Sequence, residues 1–183
     1  MASILDTLVD KQGDTTKSAT WYKNAISSIG QKITAQKLLA QGKLSARPNI
    51  GLLNLFFYEP KYKETLPYYD TFPLVLPLDS IKGGFSGLNF HYLSPALRLR
   101  LLENMQRWAT SPKLDTARFD VSWSRVKSIS LVKPTIKKYL YKHVRSSFLK
   151  IDLNQAAIAC YLPVQQFQKR PASSVYAASR SSI

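Results

Sequence analysis

The chain has 183 residues, with 26 lysines and arginines against 11 aspartates and glutamates, a formal net charge of +15; 45% of the residues are hydrophobic and 20% charged. That length and apolar share suit a domain with a real core and exclude disorder throughout, and a single cysteine, Cys160, excludes an internal disulfide framework. The surplus positive charge bears on partners rather than on fold: nucleic acid, an anionic membrane or an acidic protein face would each compensate it.

The first ten residues read as a short arm or helix, with no positive leader and hydrophobic stretch of the secretory kind. No apolar run approaches the roughly 20 residues of a membrane span. The expectation is a soluble protein made in a reducing cytoplasm, without a membrane partner. Residues 11–20 are polar and turn-prone, and Thr20 offers a cap for a helix over residues 21–41. In that stretch Tyr22, Ile26, Ile29 and Ile33 fall at helical spacing, and Gly42 follows as a stop.

The middle of the chain changes character. Residues 52–58 (LLNLFFY), 72–78 (FPLVLPL) and 85–92 (FSGLNFHY) are rich in aromatic and branched side chains and read as strands. Glu59-Pro60-Lys61 and residues 80–84 are turn-prone. Pro73 and Pro77 cannot donate to a ladder, which predicts an edge or bends for their segment. Ser94-Pro95 opens a helix with Leu97, Leu101, Met105 and Trp108 on its apolar face and Arg98 and Arg107 off it, ended by Pro112. Residues 118–123 suggest a short strand or a turn of helix.

Pro134 opens a further predicted helix to about Phe148, with Ile136, Leu140, Val144 and Phe148 recurring every four residues. Asp152 or Asn154 could cap a short helix through Tyr161, broken by Pro163. The expected fold class is α+β: a small antiparallel sheet or compact barrel in the middle of the chain, flanked by amphipathic helices. The organisation divides into an N-terminal arm and helix (1–45), one α+β domain with basic C-terminal helices (46–171) and a flexible tail (172–183), small and polar in composition.

Residues 113–150 carry ten lysines or arginines and only Asp115 and Asp120. Lys133, Lys137, Lys138, Lys142, Arg145 and Lys150 are the candidate polyanion-binding set, since clustered cations neutralise phosphates and release counterions. Trp123, Tyr139 and Tyr141 lie among them, where rings could stack on the bases of a single strand. The alternative is a solvated face, or one that docks on an acidic protein. The aromatic stretch Tyr68-Tyr69-Asp70-Thr71-Phe72 reads as a set of lids on the sheet or as an interaction surface, since tyrosine and phenylalanine are favoured at interfaces. Tyr68, Tyr69, Phe72 and Tyr176 are the candidate partner contacts.

Enzyme signatures fare worse. Glu59 and Lys61 have the Glu-x-Lys spacing of metal-dependent nucleases, but proline stands between them and no acidic residue sits on a preceding strand. Residues 83–87 (GGFSG) precede a strand-like segment, so a hairpin turn fits better than a phosphate loop. His91 and His143 lack a cluster that would complete a metal site, and Cys160 lies in ordinary helix packing. No catalytic residue, metal, cofactor or small-molecule substrate is expected.

Residues 55–61 (LFFYEPK), 66–75 (LPYYDTFPLV), 84–93 (GFSGLNFHYL) and 159–168 (ACYLPVQQFQ), with Trp21-Tyr22, resemble a family of proteins from T-even-type tailed bacteriophages (myoviruses) and their marine relatives. The resemblance implies a virion or virion-assembly protein, made in the host cytoplasm and carried in the virion. The main expectation is a non-enzymatic structural or assembly component of the tail, baseplate or head–neck region docking on other phage structural proteins. The alternative is a DNA-binding protein that protects or organises the ends of packaged DNA.

Overall fold

The computed structural model describes residues 2–110 and 117–183; Pro112 as a helix stop, Lys113 and Asp115 lie outside them. In chain order the elements are α1 (Ile4–Gln12), α2 (Ala19–Ser27), α3 (Ala35–Gln41), β1 (Leu44–Ser45), β2 (Leu53–Leu55), β3 (Tyr69–Asp70), β4 (Leu74–Ile81), β5 (Gly84–Asn89), α4 (Pro95–Met105), α5 (Trp123–Val126), β6 (Ile136–Leu140), β7 (Phe148–Ile151), α6 (Ala156–Tyr161), β8 (Phe167–Gln168) and α7 (Ala172–Ser182). The fold is α+β. Six strands form one antiparallel sheet in the order β1-β7-β2-β4-β5-β6, and β3 pairs with β8 in a separate two-stranded ladder.

The helix expected over residues 21–41 is two helices. Ser18, not Thr20, caps α2 by accepting from the Trp21 N–H, and Thr34 Oγ1 caps α3 by accepting from the Lys37 N–H. Between them Gly30 adopts φ +70°, a left-handed conformation that ends one helix cheaply. Two local signals, a glycine and a fresh cap, override the apolar period.

The helix expected from Pro134 is absent. Pro134 lies in a 3-10 turn, and residues 136–140 form β6, paired with β5 from Gly84↔Leu140 to Leu88↔Ile136. The four-residue apolar period there marks no buried stripe: Ile136 is 37% exposed, whereas Phe148 is fully buried in β7. Pairing with β5 decides the matter, and Gly84 permits it, because a β-carbon there would fall 1.9 Å from the Tyr139 carbonyl oxygen. Pro77 stands in an interior strand, between β2 and β5, and is tolerated because the β4–β5 register shifts between Pro77 and Asp79. Gly83 takes φ +74° in the β4–β5 hairpin, as the glycine run predicts.

Alternating strand residues serve two cores, as the period of two requires. Leu53, Leu55, Leu74, Leu76, Leu88, Leu149 and Ile151 join the main core with the helices, including every residue of α6. Phe56, Tyr58, Val75, Phe85, Tyr139 and Phe148 form a second, aromatic cluster. Within it Phe56 and Phe148 lie 4.7 Å apart and Tyr58 and Tyr139 4.9 Å, spacings at which ring edges and faces attract.

Two further expectations are corrected. Residues 172–182, expected in a tail ordered only by a partner, form α7, with Val175 fully buried. Arg98, placed off the apolar face of α4, is completely buried. The segment 118–123 holds a single bridge, Ala109↔Phe119, before the short α5.

Candidate nucleic-acid interface

The six cations expected to meet a polyanion divide in two. Arg145 pairs with Glu59 at 3.2 Å and Lys150 with Asp152 at 2.8 Å, so both are partly neutralised. Lys133, Lys137, Lys138 and Lys142 pair with no carboxylate among the described residues. Lys137 and Lys138 stand on β6, an edge strand of the sheet, instead of on a helix face.

Between β6 and the loop of residues 59–68 lies a pocket of about 520 Å³. Its mostly apolar wall includes Tyr58, Tyr62, Tyr68, Tyr69, Tyr92 and Tyr139, with Lys61, Lys137 and Lys138 beside them. Lys137 Nζ sits 4.0 Å from the centroid of the Tyr92 ring, and Arg170 lies 5.5 Å from that of Tyr68. Burial lowers the Lys137 ammonium below the ordinary lysine range.

The loop is tied down from the far end of the chain. Lys169 Nζ donates to the carbonyls of Lys63, Glu64 and Leu66 at 2.6, 3.1 and 2.8 Å. Lys169 itself adopts φ +71°, a left-handed conformation that costs a residue with a β-carbon some energy. The β3–β8 ladder, with Tyr69 opposite Gln168, fastens the same region. Lys61, Lys169 and Arg170 were not among the expected site residues. They are distant in sequence from the basic run, and only the run Lys169-Arg170-Pro171 hinted at a local concentration of charge.

Of the aromatic candidates, Tyr68 and Tyr69 line the pocket. Phe72 is wholly buried, 4.8 Å from Phe57, and so presents no surface to a partner. Tyr176 is engaged internally, its hydroxyl accepting from Arg98 Nη2 at 2.7 Å.

At the pocket floor, where Asp70 and Asn89 line the wall, begins a buried polar network with no counterpart among the sequence expectations. The Asp70 carboxylate accepts from His91 Nδ1 (2.8 Å), Asn89 Nδ2 (3.3 Å) and the N–H groups of Phe72 (3.0 Å) and Gln166 (3.1 Å). Burial works against its charge, but His91 and these donors prevail and hold the carboxyl below its usual range. Burial also lowers His91, against the pull of Asp70. Arg98, desolvated and lowered for that reason, donates to the carbonyls of Phe90, Leu93, Cys160 and His91 as well as to Tyr176. A hydropathy pattern records a charged residue as surface, which is why the inward roles of Asp70 and Arg98 do not show in the sequence; His91, read there as a sheet residue between Phe90 and Tyr92, lies in a buried 3-10 turn.

The candidate catalytic residues are otherwise engaged. Glu59 is held by Lys63 and Arg145, whose hydrogen bonds, Lys63 first, keep its carboxyl below the usual range. Among the described residues no cluster of three or more histidines, cysteines or acids could hold a metal. Burial pushes the Cys160 thiol up to about 12, far from a reactive thiolate. His143 Nδ1 lies 3.0 Å from the Glu59 carbonyl oxygen. No helix among the described residues is long and apolar enough to cross a membrane.

A family model described as "Phage T4 terminal DNA protecting protein" matches residues 3–181. No curated protein and no solved structure matches the chain.

Proposed function

We propose that this chain, which belongs to the phage T4 terminal DNA protecting protein family, binds the free ends of phage DNA and shields them without cleaving them. The observation that carries this reading is the pocket at the β6 edge, where Lys61, Lys137 and Lys138 meet a wall of tyrosines and none of the three is paired with a carboxylate among the described residues. Cations that keep their charge unneutralised within the protein gain most from phosphate, because each contact releases a counterion. Lys133 and Lys142, exposed before and after β6, extend the positive surface.

Protection on this reading is steric: a bound protein denies an exonuclease the terminus it must grip. The protein is made in the host cytoplasm and travels with the DNA in the virion. The family description favours this reading over placement in the tail, baseplate or neck, and DNA over other structural proteins as the principal partner.

The test is digestion of linear duplex by a processive exonuclease with increasing protein, beside binding to a closed circle of the same sequence. Protection of the linear DNA and weaker binding to the circle are expected. Equal affinity for both, with ends digested at an unchanged rate, would overturn the proposal.

A further inference from the structure

The geometry points to a finer ligand: the pocket between β6 and the loop of residues 59–68 receives one unpaired nucleotide at the end of a DNA strand, its base against the tyrosine rings and its phosphate on Lys137 and Lys138. This rests on the end-binding reading and specifies which part of the end is held.

Three features support it. The first is size and chemistry. A cavity of about 520 Å³ lies in the range that small ligands occupy, roughly 300 to 1,000 Å³. Within a duplex the base faces are covered by their neighbours, so a base enters such a pocket only when unstacked, and a strand terminus is where unstacking costs least. The second is the wall. Tyr62 is 64% exposed with no core role, and Tyr68 lies 6.0 Å from Tyr92. Exposed rings beside cations are the arrangement that binds single-stranded nucleic acid by stacking.

The third is Lys137. It is held over the Tyr92 ring, half-buried, and pairs with no carboxylate among the described residues. A partly buried cation without a counter-charge is costly, and a phosphate entering beside it would supply the missing anion. Asp70, the acid on the pocket floor, does not fill that role, since His91, Asn89 and two backbone N–H groups already engage it. The Lys169 clamp on the carbonyls of Lys63, Glu64 and Leu66 keeps the loop wall in place ahead of binding.

The experiment compares short duplexes of one sequence carrying blunt ends, a single unpaired nucleotide at the 5′ or the 3′ end, or ends closed by hairpin loops, with the free mononucleotide as a further arm. Tighter binding to at least one overhang than to blunt ends, by about tenfold, is expected from one stacked base, with the free mononucleotide much weaker than either. Tyr62→Ala, an exposed substitution that leaves the core alone, should bring the overhang duplex down to the blunt one. Lys142→Gln, outside the pocket, should weaken both alike. If overhang and blunt duplexes bind equally but better than closed ends, the pocket assignment falls and end binding stands. If all four duplexes bind equally, both fall. Unchanged overhang preference in Tyr62→Ala, or a mononucleotide bound as tightly as an overhang, would also overturn the assignment.

Discussion

Asp70 and His91 show how far one residue's role can depart from what its type suggests. Each carries a charge or could acquire one, and both are buried in contact at 2.8 Å. The lowered His91 keeps the folded protein from taking up a proton that the unfolded chain accepts below about pH 6.5. Its contribution to stability is therefore present above that pH and lost as pH falls towards its folded value. Asp70, also lowered, contributes above about pH 3.9 and loses that contribution only in stronger acid. The thermal unfolding midpoint should accordingly hold steady above neutrality and decline below about pH 6.5. His91→Asn should lower stability at neutral pH yet flatten that decline; a slope unchanged in the variant would place the effect on other groups.

At the scale of elements, contacts across the sheet overrule local pattern. Gly84 is the instructive position, because it lets β5 approach β6 closely enough to pair, and β6 carries Lys137 and Lys138. In Gly84→Ala the new methyl meets backbone, which cannot rotate away, so the strands must part. We expect a loss of about 1–3 kcal/mol in chemical denaturation together with weakened DNA binding. Gly83→Ala is the control: its β-carbon meets nothing within 4 Å, and the cost is that of φ +74° alone, about 1–2 kcal/mol, with binding preserved. Equal binding in the two variants would detach the site from the β5–β6 pairing. The same lesson applies to α7, whose composition is that of a tail. Buried Val175 and the bond from Arg98 to Tyr176 hold it on the domain.

For the whole molecule, the charge of +15 sets how binding responds to salt. Ion pairs with carboxylates occupy Lys43, Lys63, Arg125, Arg145 and Lys150 among the described residues, which leaves much of the excess available to phosphate. The logarithm of DNA affinity should fall linearly with the logarithm of salt concentration, by about 0.9 for each phosphate neutralised on duplex. Lys138→Gln and Lys142→Gln should each reduce that slope by about one on a fluorescence titration. Arg145→Gln should change it less, because Glu59 already shares that charge. Equal slopes in all three variants would spread the interaction evenly over the surface.

Read alone, the chain determined its fold class and its surplus of positive charge. Its main functional expectation, a structural component docking on other phage proteins, gives way to the DNA-protecting alternative that the family match favours. The aromatic strands about Phe56, Leu76 and Phe85, the Ser94-Pro95 helix start, the hairpin glycine and the excess of lysine all follow from residue type and spacing, which act over a few neighbours. The four stretches that resemble a T-even-type phage family belong with them, and the family match bears that resemblance out. Only tertiary structure decided that residues 136–140 pair as a strand, that Arg98 points inward, that Lys61 joins Lys137 and Lys138 at one pocket, and that Lys169 clamps the loop beside it. Those outcomes depend on groups far apart in the chain coming together: the hydrogen bonds of a neighbouring strand, or carbonyls that satisfy a buried cation, outweigh a local preference worth a fraction of a kcal/mol per residue.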